Sequence, residues 1–308
     1  MTSGHRLSEL ELNRYAIECV CEKLLAPDSG RSPVILAVRR PGALVAQRGP
    51  VQHGTGTLRP PGVRPRKMDS KEQRSALRAA VYRGDGPAVV HLLQGAGNYD
   101  DALQLAGDGL MAAVIQRVEG APELVRDLVL ALRRRGWDGD DDLASQLDAM
   151  LGTGPAPMLR SLPVDLDELA AILGGDPLHG GGRIDLKTGE VWPQAAIEYA
   201  RENGEDDEDA ADDPERWLSV QCEGSREAYR DMELFIASVD DPGRAGRLAI
   251  AIEGRGAFRQ FKDVLARWPG ELERLYALSE ERQRGRARSW LTEAGYRVLP
   301  AARGDPDA

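Results

Sequence analysis

The chain has 308 residues, of which 29% are charged and 42% belong to the apolar set, a composition typical of globular proteins. The length is enough for two ordinary domains. The formal net charge of −10 argues against a general nucleic-acid-binding protein. No run of about eighteen apolar residues occurs, so the sequence predicts no membrane span. Its three cysteines lack zinc spacing and argue against a disulfide scaffold. We therefore expect a cytoplasmic protein.

The charge is distributed unevenly along the chain. The net charge is +6 for residues 1–68, −20 for residues 69–243 and +6 for residues 244–303. The basic C-terminal stretch is the part that can bind a polyanion. It can equally face the acidic segment of the same protein.

Residues 1–68 are expected to form an extension rather than a domain. Leu7–Leu25 has the apolar spacing of an amphipathic helix, and residues 39–67 are rich in Pro, Gly and Arg without a period. Such a segment buries too little apolar surface to offset its ordering entropy, so we expect disorder. Met68 lies at the join and can be the native start. A basic tether for nucleic acid is the alternative reading.

Residues 69–151 are predicted to form an all-helical domain. Ser70 suits an N-cap, and Pro122 and Gly136 suit the ends of one helix. Arg133, Arg134 and Arg135 in its last turn complement the helix dipole. Helices are predicted at about 99–106, 108–118, 122–135 and 140–151.

Residues 152–163 have the Gly and Pro density of an interdomain linker. A small domain is expected at 164–298, followed by a tail at 299–308. Asp165 or Asp167 can cap its first helix. A hairpin is predicted around Lys187-Thr188-Gly189, with a third strand at 217–222. The fold class predicted for the whole chain is α+β, with a helical N-terminal domain and a C-terminal domain that combines a short antiparallel sheet with several helices.

Between the hairpin and the third strand, residues 202–215 contain nine Asp or Glu and no Lys or Arg. A calcium loop of the EF-hand type needs acids at alternate positions with a central Gly, and that pattern is absent. We expect a solvated acidic loop and no metal site.

The C-terminal part is predicted to be helical. On the segment 254–268 a period of 3.6 places Phe258, Phe261 and Trp268 on one stripe and the cations on another. Pro269 is predicted to stop this helix, and a last helix is predicted at about 279–294. The predicted aromatic core consists of Trp192, Trp217, Phe235, Phe258, Phe261, Trp268 and Trp290.

Several runs of this domain resemble a known family. They are DLDEL at 165–169, IDLKTGEVW at 184–192, the strand and helix of 217–242, GRGAFRQFKDVL at 254–265 and RARSWL at 286–291. These runs are similar to uncharacterised protein family 0158 over about residues 164–296. The helical segment 69–151 resembles the N-terminal part of the longer members. The resemblance implies a domain identity and assigns no reaction or catalytic residue.

The chemistry that the sequence offers is limited. His179 is the histidine of the family-like domain, and no Cys-His pair or Gly-x-Ser-x-Gly elbow is present. His91 lies amid apolar residues and is expected to be a packed or partly exposed histidine rather than a catalytic one. Asp185 and Glu190 flank the hairpin turn. They can approach each other as paired carboxylates, or they can be solubilising turn residues.

We therefore predict a non-enzymatic binding or regulatory protein that needs no cofactor. Its contact with an unknown protein partner is assigned to Arg255, Arg259 and Lys262. The alternative is a nucleic-acid-associated protein that also uses Arg284 and Arg288. A phosphate-handling enzyme is the third reading.

Overall fold

The structure is a computed structural model that describes residues 70–95, 99–175, 180–203 and 213–299. The predictions for the extension 1–68, for His179 and for most of the acidic loop lie outside these residues. So do the predictions for the tail beyond residue 299.

The described residues form eleven α-helices and five β-strands. The helices are α1 Ser70–Tyr82, α2 Gly86–Gly95, α3 Leu103–Ile115, α4 Ala121–Arg135, α5 Asp140–Leu151, α6 Leu166–Leu173, α7 Gln194–Glu202, α8 Arg226–Ala237, α9 Pro242–Ala251, α10 Ala257–Leu265 and α11 Pro269–Glu293. The strands are β1 Arg160–Leu162, β2 Gly182–Asp185, β3 Val191–Pro193, β4 Trp217–Val220 and β5 Tyr296–Val298. Within the described ranges, no helix combines the length and apolar character that a bilayer crossing requires.

The predicted α+β fold class is confirmed, and its sheet is antiparallel with the strand order β3-β2-β4. Gly189 has a φ of 79° in the hairpin turn, a left-handed conformation that glycine adopts without steric cost. The Asp165 carboxylate accepts hydrogen bonds from the backbone N–H groups of Asp167 and Glu168, so Asp165 is the cap of α6. These local features follow the sequence patterns closely.

A second, two-stranded sheet was not predicted. Strand β1 pairs with β5 in parallel, with Ser161 opposite Arg297. The Arg297 Nε atom donates a hydrogen bond to the Ser161 hydroxyl at 2.9 Å. The predicted linker 152–163 therefore contains a strand that is tied to the end of the described chain.

The prediction of two helices at 99–106 and 108–118 is wrong, because α3 is one helix that runs through two glycines. A β-carbon on Gly107 would overlap the Leu143 side chain, and one on Gly109 would overlap Val81 and Val89. These glycines allow neighbouring helices to approach closely instead of ending the helix. Almost every residue of α3 is buried, which compensates for their weak helix propensity.

The predicted start of the last helix at about 279 is also wrong: α10 ends at Leu265, before Pro269, but the same proline begins α11. Proline suits the first helical position because its missing N–H would have no intrahelical partner there. Helix α11 therefore has 25 residues, ten of them before the predicted start at 279. This length brings it into contact with helices from both halves of the chain.

The buried apolar side chains form three clusters. One is built from α1–α5, the second from β1, α6, the sheet and the end of α11, and the third from α8–α10 and the beginning of α11. Leu275 belongs to the third cluster and Leu291 to the second, so α11 connects them. The boundaries 69–151, 152–163 and 164–298 stay predictions, although the first cluster stays within the helical segment.

The predicted core aromatics differ in depth. Phe235 and Phe261 are fully buried, whereas Phe258, Trp268 and Trp290 are half-buried side chains packed against the clusters. Trp192 and Trp217 are half-buried and contact each other edge to face, with ring centroids 6.1 Å apart. Strand alternation places this pair on the side of the sheet opposite the buried Ile184, Val191 and Val220.

Candidate binding surface

The orientation of α10 is set by its apolar side. Phe261 and Leu265 are fully buried, and the Phe261 ring meets the Phe235 ring edge to face at 6.1 Å. Such aromatic contacts add to the burial of ring area. Because this side of α10 packs against α9, α11 and the Phe235 ring of α8, the opposite side faces solvent.

Arg255 lies just before α10 and not on the helix itself. Gly254 and Gly256 on either side have φ angles of 94° and 77°, so the chain turns sharply here. The Gln260 side-chain amide donates to the Arg255 carbonyl at 3.2 Å, which ties this turn to the first turn of α10. The cations thus do not form the single helical stripe that the period predicted.

We call Arg255, Arg259 and Lys262 the α10 basic surface. Arg255 and Arg259 are exposed and Lys262 is half-buried. None of the three forms an ion pair with any residue that the structure describes. The exposed Asp263 lies on the same helix, so the surface is predominantly but not purely basic.

Two exposed cations near this surface were missed by the sequence analysis. Arg247 lies on α9, which packs against α10, and Arg267 comes two residues after the end of α10 at Leu265. Both are exposed, and neither forms an ion pair within the described ranges. Arg244, one turn before Arg247, instead contacts the carboxylates of Asp241 and Glu271 at 3.6 and 3.5 Å. The signal in the sequence was the surplus of Lys and Arg across 244–267.

The other two proposed contact residues, Arg284 and Arg288, lie inside the protein. The Arg288 Nη2 atom donates to Asp108 Oδ1 at 2.5 Å, and its Nε atom donates to Gln104 Oε1 at 2.8 Å. Arg284 Nε donates to Asp108 Oδ2 at 2.7 Å, and Arg284 also pairs with Asp167. The expectation that Arg284 and Arg288 form a surface contact is corrected, because α11 packs these side chains against α3 and α6.

This pairing changes the electrostatics of Asp108. Burial alone would raise the pKa of Asp108, but the charges and hydrogen bonds of Arg288 and Arg284 hold the pKa of that carboxyl below its usual range. Burial lowers the pKa of Arg284, but its carboxylate neighbours, Asp167 foremost, raise it above the ordinary arginine value. Both groups stay charged across the physiological range.

Glu281 caps the N-terminus of α3 from a distance of 177 residues along the chain. Its carboxylate accepts hydrogen bonds from the backbone N–H of Gln104 at 2.8 Å and of Leu105 at 3.3 Å. The Arg135 guanidinium bridges Glu281 at 3.0 Å and Asp140 at 2.7 Å. No local cap is present at α3, so the buried Glu281 supplies the acceptor that its first N–H groups need.

The Asp185 carboxylate has a structural role in the hairpin. The Asp185 carboxylate accepts from the N–H groups of Lys187 at 2.8 Å and Thr188 at 3.3 Å, and it pairs with Arg216 at 3.3 Å. Asp185 is buried while the Glu190 side chain is exposed. The contacts of the Asp185 carboxylate therefore stabilise its own turn. This favours the reading of Asp185 as a turn residue over that of paired carboxylates.

The described ranges contain no group of three His, Cys, Asp or Glu side chains that could hold a metal ion. His91 is exposed on α2.

The architecture places this chain in the α+β class, with its basic surface in the C-terminal half. A family model described as "Uncharacterised protein family (UPF0158)" matches residues 195–305. The UPF0158 protein PA5073 of Pseudomonas aeruginosa is 30% identical over 154 residues, which cover 48% of this chain and 92% of that relative. The chain therefore belongs to the uncharacterised family UPF0158, which confirms the resemblance inferred from the sequence. No solved structure matches it significantly.

Proposed function

We propose that this chain is a non-enzymatic binding or regulatory protein of the cytoplasm that contacts an acidic protein partner through the α10 basic surface. One observation carries the proposal. The cations of this surface form no ion pairs with described residues, whereas Arg282, Arg284, Arg286 and Arg288 of α11 all pair with internal aspartates.

The chemistry of the surface favours carboxylates or phosphates on the partner. Guanidinium groups bind such anions through charge-assisted hydrogen bonds, and Arg255 and Arg259 are exposed enough to offer them. Complementary charge across an interface mainly raises the association rate and the specificity, and salt screens it. We expect binding that weakens as the salt concentration rises.

The nucleic-acid alternative has weaker support. Its sites included Arg284 and Arg288, whose side chains are only 11% and 2% exposed. The remaining cations neutralise few phosphates, and affinity for nucleic acid depends on how many phosphates a protein neutralises. An enzyme is the least supported reading, since the Asp185 carboxylate already accepts hydrogen bonds from the backbone of its own turn.

The test compares three forms of the full chain, each tagged and purified from native lysate with and without nuclease. They are the unmodified chain, a triple variant with Arg255→Gln, Arg259→Gln and Lys262→Gln, and a matched triple control. The control changes Arg83, Arg134 and Arg226 to Gln, which are exposed arginines without an ion pair to described residues. Quantitative mass spectrometry identifies the proteins that each form retains.

We expect a protein that the unmodified chain and the control retain, that survives nuclease and that the surface variant loses. Loss of the same protein from the control would show that only net charge matters and would contradict the proposal. Retention by all three forms would also contradict it. Material that nuclease removes would favour the nucleic-acid alternative.

A further inference from the structure

A small cavity lies where α5, the chain before β1, the end of α11 and β5 meet. Its volume is about 200 Å³, close to the liquid volume of about seven water molecules. Its walls are formed by Asp142, Ser145, Gln146, Pro157, Leu159, Thr292 and Arg297. None of these residues belongs to the α10 basic surface.

The cavity is placed at a junction between two parts of the protein. Leu143 and Leu147 of α5 belong to the first apolar cluster, and Val298 of β5 belongs to the second. The Gln146 side-chain amide donates to the Val298 carbonyl at 2.6 Å and so joins the two walls. Ligand sites occur preferentially at such junctions.

Two opposite charges line the cavity without pairing to each other. Asp142 and Arg297 are both half-buried, and neither forms an ion pair with another residue in the described ranges. The Arg297 Nε atom donates to Ser161, which leaves the Nη groups of the guanidinium for another acceptor. Partly desolvated charges of this kind are stabilised by an opposite charge in direct contact.

Burial is the main influence on the charge of Asp142 at that end of the cavity. Burial raises the pKa of Asp142, while the charge of Arg288 and a hydrogen bond with Ser289 act in the opposite direction. The charges of Asp141 and Glu293 act in the same direction as burial, though less strongly than the charge of Arg288 acts against it. An ammonium group would offset both the burial and the like-charge repulsion.

We propose that this cavity binds a small zwitterion, an aliphatic amino acid whose ammonium group contacts Asp142 and whose carboxylate contacts Arg297. The hydroxyls of Ser145 and Thr292 can donate or accept additional hydrogen bonds. Pro157 and Leu159 provide an apolar wall for a short methylene chain. A cavity of this volume has room for amino acids of the size of glycine to γ-aminobutyrate.

The test titrates the full chain with glycine, β-alanine and γ-aminobutyrate by calorimetry, and follows the side-chain amide of Gln146 by NMR. Butyrate and propylammonium, which carry one charge each, are the control ligands. The site variants are Asp142→Asn and Arg297→Gln. Their matched controls are Asp127→Asn on α4 and Arg160→Gln on β1, both at exposed positions.

We expect saturable binding of at least one zwitterion, with the Gln146 amide signal shifting and with neither single-charge ligand binding as tightly. Each site variant should weaken binding about tenfold or more, the loss expected for one charge-assisted hydrogen bond. The matched controls should bind like the unmodified chain. Because burial disfavours the Asp142 charge, Asp142→Asn should fold at least as stably, which circular dichroism checks.

Three results would overturn the proposal. One is no saturable binding of any of the three amino acids up to about 10 mM, a concentration that reveals even millimolar affinity. The second is binding that both site variants retain in full. The third is binding by butyrate or propylammonium as tight as that of the zwitterion. A failure here would leave the α10 basic surface unaffected, since the two sites share no residue.

Discussion

Gly285, in the middle of α11, lies directly against Gly139 at the start of α5. A β-carbon on Gly285 would overlap the Asp138 carbonyl, and one on Gly139 would overlap the Gly285 carbonyl. Two backbones from the two halves of the chain meet here without side chains between them. The buried arginines on either side of Gly285 therefore reach partners on α3.

The first prediction concerns this backbone contact. Gly285→Ala should lower the free energy of unfolding by about 1–3 kcal/mol, the usual cost of inserting a methyl group into a packed site. The matched control is Gly246→Ala on α9, where nothing lies within 4 Å of an added β-carbon. It should stabilise by about 0.5–1 kcal/mol, because alanine is the better helix former. Urea unfolding measures both, and a stabilised Gly285→Ala variant would contradict the close contact.

The second prediction concerns the long-range cap of α3. Glu281→Gln keeps one acceptor oxygen but removes the charge opposite Arg135. It should cost about 1.5–3 kcal/mol, the range for hydrogen bonds to charged groups. The amides of Gln104 and Leu105 should also exchange faster with deuterium. Glu273→Gln is the control, because its partner Lys71 is on the surface and its side chain is 52% exposed. Equal effects of the two variants would rule out the capping role.

The third prediction concerns acid stability. The pKa of Asp108 is lower in the folded protein than in the unfolded chain, so the folded state binds fewer protons in acid. Its contribution is fully present above the unfolded aspartate pKa of about 3.9 and is lost as the pH falls through the lower folded value. Asp108→Asn should therefore be destabilised at pH 7 and show a shallower loss of stability between about pH 5 and pH 2.

The control for this experiment is Asp127→Asn, an exposed aspartate on α4. It should retain the steep acid dependence of the unmodified chain. Parallel stability curves for Asp108→Asn and the unmodified chain would mean that Asp108 is not held ionised by its arginines.

The fourth prediction separates the two sides of α10. Phe261→Ala should cost about 3–5 kcal/mol, the range for removing a buried ring. The triple Gln variant of Arg255, Arg259 and Lys262 should change stability by less than about 0.5 kcal/mol, as is usual for surface positions. Chemical unfolding of both variants is the measurement. A strongly destabilised triple variant would mean that these cations serve the fold and not a partner.

The sequence by itself determined the fold class and much of the local structure. Asp165 caps α6, Gly136 ends α4 and Gly189 lies in the hairpin turn, because these signals act within a few residues. The apolar period of α10 correctly identified Phe261 as buried. Family membership also followed from short runs of sequence.

Only the tertiary structure decided which charges reach the surface. The sequence showed Arg255, Arg259, Arg284 and Arg288 as similar cations on C-terminal helices. The structure separates them, because α11 lies against α3 and α6 and its arginines meet Asp108 and Asp167 there. Asp108 is 176 residues from Arg284 along the chain. The sequence around either residue does not indicate this partner, because the pairing depends on which helices pack together. The uninterrupted α3 and the pairing of β1 with β5 have the same origin, because contacts distant in sequence override local propensity.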